Sequence, residues 1–171
     1  MASDVAPAVL RRVLIDGALL SIAASAVILL SLRINPRLWL QDFPKDIQDA
    51  VPPKTAAERR LSLIWGIPFL AMLVAAPLLS DVALERQLGS PASFVTLWLN
   101  GFGVLLAFNL VDLIAIDWLV VCRLTPAFVM IPGTEGLAGY RNYRHHARGF
   151  LVGTAGSAVI AALVAALASM G

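Results

Sequence analysis

Hydrophobic and polar positions divide the chain into four long apolar runs, roughly Val13–Leu32, Leu61–Leu79, Phe94–Cys122 and Phe150–Met170, joined by charged connections. A helix needs about 20 apolar residues to cross the hydrocarbon core of a bilayer, and each run reaches or approaches that length. The pattern predicts an all-α polytopic membrane protein, a four-transmembrane-helix bundle forming a single membrane domain over residues 1–171. The first run follows Arg11 and Arg12 and contains Ala24-Ser25-Ala26, which resembles a cleavable leader. It continues through Val27–Leu30, past the length of a leader's apolar region, and reads as a retained span.

The connections carry helix signals of their own. Asn35-Pro36 breaks the first helix, and Leu38, Trp39, Leu40 and Phe43 give the next segment an interface-seeking side. Pro44 suits the first position of a short helix over Lys45–Ala50, which Pro52-Pro53 ends. Thr55 with Glu58 three residues later reads as a capping box that starts a helix running into the second span. Inside that span Pro68, near Gly66, predicts a kink, and Pro77 is a second breaking point.

Composition reinforces the membrane reading: 59% of residues are hydrophobic and 14% charged, with a mean hydropathy of +0.82. Soluble domains carry about a quarter charged residues. The net charge of +2 gives no reason to expect a nucleic-acid partner, and the single cysteine, Cys122, excludes an internal disulfide or a multi-cysteine metal site. Placement of the basic residues matters more than their sum. Loops 33–60 and 123–149 together hold ten of the 13 Lys and Arg, and the opposite side holds only Arg11, Arg12 and Arg86. Basic loops stay in the cytoplasm, so the two loops are expected inside and both termini outside.

Four aspartates fall within or beside the runs: Asp16, Asp81, Asp112 and Asp117. Asp16 has Arg12 one turn earlier as an ion-pair partner. Asp81 reads as hydrated at the outer interface, and Asp117 as interfacial beside the anchor Trp118. At helical periodicity Asp112 lies about 60° from Asn109 and about 20° from Arg123. Asn109, Asp112 and Arg123, with Asp117 nearby, thus predict a polar stripe on the third span. The stripe suits a ligand or ion, a permeation path, or an interhelical clasp. Asn100 points away from Asn109 and belongs to another contact.

Gly149, Gly153, Ser157, Ala161, Ala165 and Ser169 recur every four residues in the last span, and Gly17, Ser21 and Ser25 do so in the first. Such stripes let helices approach closely, within one bundle, in a homo-oligomer or against another membrane protein. The second loop ends in Tyr140, Arg141, Tyr143, Arg144, His145, His146 and Arg148, a set suited to anionic lipid headgroups. His145 and His146 point about 100° apart on a helix, so they cannot share a metal without outside carboxylates such as Glu135 or Asp117. No metal, cofactor or catalytic residue is assigned.

Two stretches carry a resemblance. Asn35-Pro36-Arg37 through Asp42-Phe43-Pro44, and Pro132-Gly133-Thr134-Glu135-Gly136 through Tyr140, Tyr143, His146 and Gly149-Phe150, resemble a group of uncharacterised small multi-span bacterial membrane proteins. The resemblance implies a bacterial inner-membrane location and brings no activity with it. The expected function is non-enzymatic: an accessory or assembly protein, or a binder of lipids or small ligands. A small oligomeric transporter or channel using the third span is the alternative. A lipid-modifying enzyme, with Glu135, His145, His146 and Arg148 as its polar groups, comes third.

Overall fold

The computed structural model describes residues 2–169, and every described regular element is helical. Helix α1 spans Ala2–Ile34, a 3-10 segment Pro36–Asp42, and the short α2 Lys45–Asp49. Helix α3 spans Ala56–Leu88 and α4 Phe94–Val111, which continues as a π-helix over Asp112–Leu124. A 3-10 turn at Ala138–Arg141 leads into α5, Tyr143–Ala168. Four of these are long and apolar enough to cross a membrane: α1, α3, α4 with its π segment, and α5. The chain is a multi-pass membrane protein with a four-helix bundle. Met170, the predicted end of the fourth span, lies outside the described residues.

Local chemistry explains the boundaries. Thr55 Oγ1 accepts the Glu58 amide at 3.2 Å and Glu58 Oε2 accepts the Thr55 amide at 2.7 Å, so the capping box forms as expected. Gly89 closes α3 in the left-handed region at φ 68°, with its amide on Glu85 O. Helix α3 is assigned unbroken through Pro68 and Pro77. It also extends beyond the predicted end at Leu79, because Gly89 supplies the first strong stop signal.

Helix α4 is central, packing on α1, α3 and α5. Small residues set these approaches. A β-carbon on Gly17 would overlap Ala107, and one on Gly153 would meet the Asn109 carboxamide. The middle of the small-residue stripe of α5 lies against α4, with Ala161 and Ala165 wholly buried, whereas Gly149, facing open space, and Ser169 at its ends are exposed, because the stripe outruns the contact. Large apolar side chains on α1 and α3, including Leu14, Ile22, Ile64 and Leu70, face outward as lipid contact requires.

The two long connections form an ordered cap over one end of the bundle, called here the loop end. The core runs without interruption from Leu20, Ala24 and Phe108 of the bundle into Phe43, Ile47, Val129, Ile131 and Tyr140 of the cap. Arg37 binds Glu58 at 2.6 Å and donates to Pro52 O at 2.8 Å, tying the first connection to the start of α3. Lys54 Nζ donates to Leu38 O. The two connections meet where the Gly139 amide donates to Asp46 Oδ2 at 2.7 Å and Phe43 packs edge-on against Tyr140. A side chain at 139 would collide with the Asp46 carboxylate, which is why glycine stands there.

Candidate functional site

The π segment positions the site. Each of its hydrogen bonds closes one residue later than in an α-helix, so more residues complete a turn and the face that each side chain occupies changes. At its end the Thr125 amide bonds Val120 O at 2.9 Å, five residues back, with Thr125 held at φ 42° in the left-handed region. Asp112, Asp117 and Cys122 are spaced five apart, close to the π repeat, and so share one side of the segment.

That side meets the first turn of α5. His146 Nδ1 lies 2.9 Å from Asp117 Oδ1, with the histidine side chain 9% exposed and the aspartate 23%. Asp112 is half-buried within electrostatic reach of Asp117, His146 and Asp42, and the buried Cys122 thiol lies beside the imidazole. His146 Nε2 is buried without a hydrogen-bond partner. From the cap, His145 Nε2 lies 3.0 Å from the Asp42 carbonyl, fixing the start of α5 under the first connection. Burial pushes the Lys54 ammonium below its ordinary value, with Asp42 and Glu58 acting in the opposite direction.

The arrangement is an imidazole oriented by Asp117, with the Cys122 thiol beside it and Asp112 within electrostatic reach. Its carboxylates suit a ligand that brings positive charge. Among the described residues no three His, Cys, Asp or Glu side chains are arranged to hold a metal ion.

The sequence-predicted residues separate into different places. Asn109 turns to α5, donating to Phe150 O at 3.1 Å and Thr154 Oγ1 at 2.9 Å, an interhelical clasp. Asp112 and Asp117 join the cluster. Arg123 is exposed at the end of the π segment, where the altered periodicity carries it off the face that an α-helical count assigns. Arg141, Tyr143, Arg144 and Arg148 are exposed on the loop-end surface, and His145 is half-buried. Tyr140 is turned inward, its hydroxyl accepting from the Ile131 amide at 2.8 Å and bonding Thr134 at 2.7 Å. His146 is likewise turned into the bundle. The Asp117–His146 pair was hidden because it is a contact between two helices, which spacing along the chain does not encode.

A second polar cluster lies at the opposite end of the bundle, where the helical termini and the α3–α4 connection meet. Asn100 Nδ2 donates at 2.9 Å to both Ser80 Oγ and Asp81 Oδ1, and Ser80 donates to Asp16 Oδ2 at 2.7 Å. Arg12 reaches Asp16 at 3.7 Å, the expected ion pair. Asp81 is wholly buried and not hydrated at the interface. The extension of α3 to Leu88 places it well inside the helix, where α4 covers it. Asn100 indeed makes a contact separate from that of Asn109.

No family model, curated protein or solved structure matches this chain.

Proposed function

We propose that this is a non-enzymatic binding protein of the bacterial inner membrane, holding a small cationic or amine-bearing ligand at the loop-end cluster of Asp112, Asp117 and His146. The observation that carries the reading is the buried, unpartnered Nε2 of His146, held by Asp117 and set beside a second carboxylate. Buried polar atoms are almost always satisfied, so an orphaned ring nitrogen marks a place for a hydrogen-bonding group from outside the chain, and the carboxylates beside it favour one that carries positive charge. Ionisable groups inside a membrane span are costly and are commonly kept for binding or transfer.

The excess of Lys and Arg in the two long connections supports a cytoplasmic loop end with both termini outside. The exposed Arg141, Arg144 and Arg148 then face the inner leaflet and attract anionic lipid headgroups. A second reading, transport, draws on the serial placement of polar groups along one span: Asn100, Asn109, Asp112 and Asp117. An accessory role beside another membrane protein rests on size and composition alone.

The test is a thermal-stability series on protein in detergent micelles with primary amines, polyamines and quaternary ammonium compounds. Binding raises Tm in proportion to the logarithm of ligand concentration. The proposal expects at least one amine to raise the wild-type Tm and to lose its effect in Asp117→Asn. A wild-type Tm that no amine raises, or a rise that Asp117→Asn retains, contradicts it.

A further inference from the structure

The cluster at the termini end contains a carboxylate with no ion-pair partner among the described residues. Asp81 is fully buried, as is Asn100, and each has an oxygen left over: Asp81 Oδ2 and Asn100 Oδ1 have no hydrogen-bond partner. Among the described residues no donor reaches either oxygen. Both Asn100 amide hydrogens go to Ser80 and Asp81, and the Ser80 hydroxyl goes to Asp16. Arg12 from α1 is engaged by Asp16 and by Gln87 Oε1 at 3.3 Å, and Glu85 of α3 accepts the Ala92 amide. Helix α5 contributes Ala161, without charge.

The free carboxylate oxygen faces Gly101. A β-carbon there would stand 3.8 Å from Asp81 Oδ2, with the β-carbons of Pro77 and Ala161 at 3.1 and 3.6 Å from the same point. Gly101 thus places bare backbone, with no side chain, on this side of the oxygen. A buried anion with two orphan acceptors requires positive charge, and walls of small residues leave little room for it.

We propose that Asp81 and Asn100, supported by Ser80, form a binding site for a small monovalent cation, a proton or a sodium ion. The line Asp81–Asn100–Ser80–Asp16–Arg12 links the site to the termini-end surface. It is separate from the loop-end cluster and does not depend on it.

The experiment measures Tm of the full chain in detergent micelles at constant ionic strength, with sodium replaced stepwise by choline at fixed pH, and then across pH in choline alone, each run repeated in Asp117→Asn so that any effect of choline at the loop-end cluster is separated. A sodium-dependent rise in Tm that Asp81→Asn abolishes supports sodium as the occupant. A pH-dependent Tm in choline, without a sodium effect, that Asp81→Asn abolishes supports the proton. Should Asp81→Asn not fold, Asn100→Ala keeps the carboxylate and removes the amide. It is expected to move the midpoint at least tenfold in cation concentration, one pH unit when the cation is a proton. A wild-type Tm insensitive to both, or responses unchanged by the variants, overturns the proposal.

Discussion

Removing either member of the Asp117–His146 pair leaves the other in a poorly solvated place without the partner that orients it. Hydrogen bonds to charged groups contribute about 1.5–3 kcal/mol, so Asp117→Asn and His146→Ala are each expected to destabilise by about that much. The double variant should cost less than the sum, because both single changes remove one interaction. Additive costs in a melting series would show that the two side chains act independently. Lys54 gives a residue-scale prediction with a sign. Its folded pKa lies below the ordinary value of 10.5, so the unfolded chain holds more protons between the two values. This group's contribution to stability therefore rises as pH climbs towards 10.5, and Lys54→Met should flatten that rise in Tm. The residue types at both clusters were legible in the sequence; their pairings were not. Asp16 with Arg12 could be read because four-residue spacing means contact on any α-helix. Asp81 with Asn100 and Asp117 with His146 are tertiary contacts between helices, which spacing alone does not encode.

At the scale of elements, the starts of α2 and α3 were readable from Pro44 and from Thr55 with Glu58, because caps are local chemistry. The π segment was not, since its sequence fits an α-helix equally well and only packing of Asp117 and Cys122 towards α5 distinguishes the two. Its role is testable by deletion. Ile114 is exposed between Asp112 and Asp117. Removing it would favour the α-helical period and rotate the residues that follow. The expected result is a folded span in which Cys122, 2% exposed in the native protein, reacts at least tenfold faster with a small thiol reagent. Unchanged protection would mean that the π geometry is not what holds that face against α5. The cap yields another prediction. Gly139→Ala forces the Asp46 carboxylate from its place, and overpacking of this kind costs about 1–3 kcal/mol. Asp46→Ala combined with Gly139→Ala should cost less than the two single changes together.

For the whole molecule, four spans with both long connections at one end make an up-down bundle whose core continues into its cap. A cytoplasm-specific fluorescent reporter fused after Gly171 should stay dark, and a periplasm-specific phosphatase should be active; the reverse would invert the proposed orientation. The central claim, a ligand at the loop-end cluster, is tested most directly by native mass spectrometry of protein gently released from its own membrane. The account predicts a small-molecule adduct on the wild-type chain that disappears in Asp117→Asn while bound lipids persist. A wild-type mass with no such adduct, or an adduct retained by the variant, would contradict it.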